Sequence, residues 1–172
     1  MTTEHKVYIG TGLATFLIIV VGVFLISKQD NQSNTPLLGQ EVSITGKSHL
    51  PEGTQITYNS NPPAGGDHYS VTAHAGFYDK TPLDGYLIHS LEHGAVILWY
   101  DPKLLSKNQI DKLKQIFDQT AGKRIMVPRE SMKVPYALSS WGRTLKLEKI
   151  DEQKIKAFFD TNRGRGPENA PI

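Results

Sequence analysis

Five of the six histidines fall between positions 49 and 93: His49, His68, His74, His89 and His93. The most pointed context is His89-Ser90-Leu91-Glu92-His93. In a helix, His89 and His93 stand at i and i+4 on one face, with Cβ atoms about 6 Å apart. Two imidazoles at that spacing can grip one divalent ion. Glu92, three residues after His89, borders the same face and could serve as ligand, as orienter of an imidazole, or as base. In a strand, His89 and His93 would share a face with Leu91, and Glu92 would point away. His68 follows a Pro-Pro-x-Gly-Gly loop and is the candidate third nitrogen. Taken singly, His49 and His74 read as structural. Met126 and Met132 are soft donors suited to copper(I), but their context reads as packing. Zinc and copper both stay open.

The same five letters match the His-x-x-Glu-His pattern of inverted zinc peptidases. Those enzymes need a further carboxylate on a companion helix, and here Gly94 and an apolar run follow at once. A small metal-dependent hydrolase, with Glu92 activating a metal-bound water, is one alternative. A metal-free interaction module with structural histidines is another. Other chemistry is thin. There is no Cys, which excludes disulfides, iron–sulfur clusters, thiol nucleophiles and thiolate zinc sites. No Gly-x-Ser-x-Gly elbow, phosphate loop or dinucleotide fingerprint occurs. With 19 Lys+Arg against 17 Asp+Glu and no basic run, nothing argues for a nucleic-acid partner.

The elements that must position these residues can be read in outline. Thr54–Tyr58 alternates weakly and predicts a short strand. Asn59–Asp67 predicts an irregular loop. Thr81 as N-cap, Pro82 at the first helical position and Asp84 in the first turn predict a helix start. Leu83, Tyr86, Leu87 and Leu91 give that helix one apolar face, and Gly94 its stop. Ala95–Tyr100 is a continuous apolar run, the pattern of a buried strand. Ser106 and Gln109 form a capping-box pattern ahead of the stripe Ile110, Leu113, Ile116 and Phe117, with Gly122 beyond it. Arg124–Val127, Tyr136–Trp141 and Leu145–Glu148 predict strands, and Asp151 caps a last helix carrying Ile155, Phe158 and Phe159. The tail from Asn162 to Ile172 is Gly/Pro-rich and predicts irregular structure. The outcome is an α+β domain, a β-sheet with two to three helices.

A mean hydropathy of −0.34 conceals a local exception. Val7–Ile26 is twenty residues without a charge, bounded by Lys6 and Lys28. As a helix it would measure roughly 30 Å, the thickness of a bilayer core. It exceeds the apolar core of a cleaved secretory signal, and no Ala-x-Ala-like site precedes Lys28. The expected plan is a short tail (1–6), a transmembrane anchor (7–26), a polar linker (27–40) and a domain over 41–172. A short tail before a large C-terminal domain favours export of that domain, so the expected location is the cell membrane with the domain outside the cytoplasm.

The stretch from Tyr58 to Tyr69, containing Pro62-Pro63-Ala64-Gly65-Gly66-Asp67-His68, resembles the first motif of the bacterial family known as domain of unknown function 3105. His89-x-Leu91-Glu92-His93-Gly94 with Tyr100-Asp101-Pro102 is similar to its second motif. Ala137-x-x-x-Trp141-Gly142-Arg143 and Gly166-Pro167-Glu168 are similar to later ones. The resemblance runs from about His49 to Glu168 and implies an N-terminal anchor bearing a small extracytoplasmic domain. Ala64–Asp67 replaces the family's Thr-Ser-Gly-Pro, yet His68 is kept. The resemblance places His49 on a motif position beside His68, His89, Glu92 and His93, and so completes the candidate metal set. It implies no activity. The expectation is therefore a membrane-tethered domain that binds a copper or zinc ion, its protein partners unassigned.

Overall fold

A computed structural model describes residues 15–24, 35–168 and 170–172. The chain divides into two units, one ending at Pro36 and one spanning Leu37–Ile172. In the first, residues 15–24 are helical (α1), with Phe16, Ile18 and Phe24 each more than half exposed. The anchor expected over Val7–Ile26 lies partly outside the described residues, at 7–14 and 25–26. Among the described residues no helix is long and apolar enough to cross a membrane.

The second unit is a mixed α+β fold. Its elements in chain order are β1 (Gln40–Glu41), β2 (His49–Leu50), β3 (His68–Tyr69), β4 (Gly76–Phe77), α2 (Asp84–Glu92), β5 (Val96–Tyr100), α3 (Lys107–Asp118), β6 (Arg124–Pro128), β7 (Tyr136–Ser140), β8 (Arg143–Leu147) and α4 (Glu152–Asn162). Six strands form one sheet in the order β1-β8-β7-β5-β6-β4, and β2 pairs with β3 in a separate two-stranded ladder. β5 runs parallel to β6, with α3 as the crossover between them, and antiparallel to β7.

β5 explains the layering. Successive side chains of a strand point to opposite faces. Val96, Leu98 and Tyr100 pack with Leu113 and Phe117 of α3 and with Phe158 and Phe159 of α4. Ile97 and Trp99 pack with Leu87, Ile88 and Leu91 of α2. A strand covered on both faces needs apolar residues at every position, which is the continuous run seen in the sequence.

The local signals hold where they are complete. Ser106 and Gln109 close both arms of the capping box, and the Asp151 carboxylate accepts the Lys154 N–H. Three expectations need correction. Thr54–Tyr58 is not a strand: it finds no partner strand, and its ends are tied by hydroxyls, Thr54 to the Pro51 carbonyl and Tyr58 to the Asp67 carbonyl. The helix before Gly94 starts at Asp84 behind Leu83, because the Thr81 hydroxyl donates instead to the Pro128 carbonyl. That helix is also not one-sided. Leu83 is exposed, whereas Ile88, His89, Ser90 and Glu92 are buried with Leu87 and Leu91. The burial of α2 on several sides is what places polar residues inside the protein.

Candidate metal centre

Three segments converge on one point. β2 and β3 run parallel with His49 opposite His68. α2 lies against β3 so closely that a Cβ on Gly85 would sit 2.6 Å from the Tyr69 ring. The Ser90 hydroxyl donates to the Ala73 carbonyl at 2.9 Å and fixes the helix from another side. His89 and Glu92 of α2 therefore face His49 and His68.

His68 is fully buried. Its Nδ1 lies 2.9 Å from the Gly66 carbonyl oxygen, and a carbonyl can only accept, so Nδ1 carries the proton. In the neutral ring Nε2 then presents a lone pair, and it faces Glu92 Oε2 at 2.8 Å. The approach is short but not aligned as a hydrogen bond: both atoms stay without a hydrogen-bond partner, as does Nδ1 of His89. His49 completes the group, with Nε2 3.2 Å from His89 Nε2 and 3.9 Å from Glu92 Oε2. One donor atom from each of His49, His68, His89 and Glu92 lies within 4.8 Å of the others. Ligands around a tetrahedral zinc, at bonds of about 2.0–2.1 Å, stand roughly 3.3 Å apart. The observed spacings bracket that value.

Electrostatics suits the same use. Burial first, then the imidazoles of His68, His93 and His49, hold His89 down to about 4 from its ordinary 6.5. At neutral pH His89 is uncharged, the form in which imidazole binds a metal. Two buried polar atoms without partners, His68 Nε2 and Glu92 Oε2, would each cost on the order of 1–3 kcal/mol if left so. A cation among them would remove that cost. Access is from the His49 side, whose side chain is 42% exposed against 5% for Glu92.

The other candidates are placed as follows. His93 stands outside the group of four and forms a second one with His89 and Glu168. His74 is exposed and offers only its carbonyl, to the Tyr78 hydroxyl. Met126 and Met132 are buried in separate apolar clusters of the core. Sequence reasoning missed Glu168 as a donor. The signal available was its place in the Gly166-Pro167-Glu168 motif, yet nothing local indicates that the tail returns to α2.

Residues 49–171 match the family model described as "Protein of unknown function (DUF3105)". No curated protein and no solved structure matches the chain.

Proposed function

Because the chain belongs to the DUF3105 family, whose description assigns no function, we propose one from the site itself: a domain that binds one transition-metal ion through His49, His68, His89 and Glu92. The observation that carries this reading is the pair of buried, unpartnered atoms His68 Nε2 and Glu92 Oε2, gathered beside the ring nitrogens of His49 and His89. Three imidazoles and a carboxylate, without sulfur, suit zinc or copper(II). The tie from His68 Nδ1 to the Gly66 carbonyl is the outer bond that usually orients a metal-bound imidazole.

Glu92 is the reason to favour binding over hydrolysis. A base that activates a metal-bound water must stand outside the coordination shell, whereas Glu92 is 2.8 Å from His68 Nε2, inside the donor set. The test is metal analysis of the full chain purified without a polyhistidine tag. One equivalent of zinc or copper should bind at this site, and Glu92→Gln should weaken it at least 10-fold. A chain that carries no stoichiometric metal, and takes up none on titration, overturns the reading.

The domain is further proposed to be membrane-tethered and extracytoplasmic. Support comes from the uncharged run Val7–Ile26, of which the described helical part leaves large apolar side chains exposed. The chain should then resist alkaline extraction from membranes, and protease added to intact cells should remove the domain. Release into the soluble fraction would sink this part.

A further inference from the structure

The arrangement at His68 recurs at His93. Nδ1 of His93 lies 2.7 Å from the Pro171 carbonyl oxygen, so Nδ1 carries a proton, and in the neutral ring Nε2 holds the lone pair. That lone pair faces Glu168 Oε2 at 3.3 Å. Carbonyl, imidazole and carboxylate thus follow one another in the same order at both histidines. With neutral rings two lone-pair atoms face each other at each, and one metal cation, in place of a second ring proton, satisfies both. His89 belongs to both donor groups. Its Nε2 faces His49 at 3.2 Å, and its Nδ1, inside a side chain that is 95% buried by a residue exposure of 5%, has no hydrogen-bond partner.

We infer that a second divalent ion binds among His89, His93 and Glu168, and that the His89 ring bridges the two ions through its two nitrogens. The bridge rests on the first site proposed above; the second donor set includes two residues of its own. Loading the second ion displaces the remaining ring proton of His89 to solvent, leaving an imidazolate with one lone pair for each ion. With only three protein donors, the second ion keeps an open position for water or another small ligand. Glu168 is half exposed, so that position faces solvent.

The segment that delivers Glu168 is built to lie there. The Gly164 N–H donates to the Gly94 carbonyl at 2.7 Å, and the Glu168 N–H to the Glu92 carbonyl at 3.0 Å. Lys123 Nζ donates to the carbonyls of both His93 and Ala170, joining the end of α2 to the tail. A Cβ on Gly94 would stand 2.8 Å from Gly164 Cα, and one on Gly166 would collide with the Glu92 carbonyl. Glycine at these positions lets the tail lie directly on the residues that carry the first site.

The experiment is copper(II) titration of the full, chelator-stripped chain, with bound metal counted and electron paramagnetic resonance recorded at each step. Two equivalents should bind. The first should give the signal of an isolated ion, and the second should abolish it, because an imidazolate couples the two unpaired spins. Glu168→Gln, a near-isosteric change at a half-exposed position, should bind one equivalent and keep the isolated-ion signal. One equivalent in the parent chain, unchanged in the variant, overturns the second ion while the first site stands. Two equivalents retained by Glu168→Gln, or two additive uncoupled signals, overturn the inference as well. No bound metal in either chain removes both sites together.

Discussion

Two buried polar clusters in this molecule differ in one respect. At the end of α4, Asn162 spends its whole hydrogen-bonding capacity. Its Nδ2 donates to the Leu38 carbonyl at 3.0 Å and to Ser140 Oγ at 2.8 Å. Its Oδ1 accepts from the Leu38 N–H at 3.0 Å and from the Thr161 hydroxyl at 2.6 Å. Where β3 meets α2, His68, His89 and Glu92 are equally buried, yet each keeps one polar atom unpartnered. A polar cluster that closes on itself holds a fold together. A cluster of lone pairs that does not close holds room for something else, since natural proteins leave few such atoms unsatisfied.

Asn162→Leu is the strongest way to break the contrast. It strands the Leu38 backbone groups and Ser140 Oγ, and should cost about 3 kcal/mol in urea denaturation, with metal uptake unchanged. Glu92→Gln, measured in chelator, should stay within about 1 kcal/mol of the parent, because removing a buried carboxylate that lacks a hydrogen bond relieves as much as it loses. Equal losses from the two variants would erase the distinction between the clusters.

Acid sharpens the same comparison. Without metal, His89 titrates near 4 when folded and near 6.5 when unfolded, mainly because it is buried. Between those values the unfolded chain binds more protons, so stability falls as pH falls. The contribution is complete above about pH 6.5 and drains away as pH drops toward 4. At about 1.4 kcal/mol per pH unit the shift is worth roughly 3 kcal/mol. Solvent reaching past half-exposed His49 reduces this to about 2. His89→Phe should flatten that part of the profile, as read by denaturation in chelator from pH 7 to pH 4. A profile as steep as the parent's would place the acid sensitivity elsewhere. The Asn162 cluster has no ionisable member and should contribute no slope.

Ser140→Ala removes one member of the closed cluster. It should cost about 1 kcal/mol, one hydrogen bond's worth, without altering metal uptake. A loss near 3 kcal/mol would mean that the Asn162 cluster acts as a unit rather than as separable bonds.

What the sequence discloses follows the range of the interaction. The capping box at Ser106 and the doubly covered strand at Val96–Tyr100 are encoded within a few residues, and both form as read. His89 and Glu92 share a helix, so their neighbourhood was legible from spacing. His68 is signalled by the loop before it, where Gly66 at φ +134° would place an added Cβ 3.2 Å from the Tyr58 ring. Only family resemblance points to His49, because its place depends on a two-residue parallel ladder with β3 that no local pattern announces. Glu168 is reached only when the tail crosses α2 on three glycines. The weak alternation at Thr54–Tyr58 failed for the complementary reason: a strand needs a partner, and none lies beside it.

The smallest expected effect on stability is the one that separates site from scaffold most cleanly. His49 is exposed, lies on a two-residue strand and contributes no side chain to either apolar cluster. His49→Ala should therefore move unfolding by no more than about 0.5 kcal/mol, the range of an ordinary surface change. If it is a ligand, the same substitution should weaken metal binding at least 10-fold, measured by competition with a chromophoric chelator. A structural histidine would lose stability without altering metal affinity, and a residue that only shields the site would slow metal exchange without changing affinity. Loss of affinity at unchanged stability is the result that an interaction module with structural histidines cannot produce.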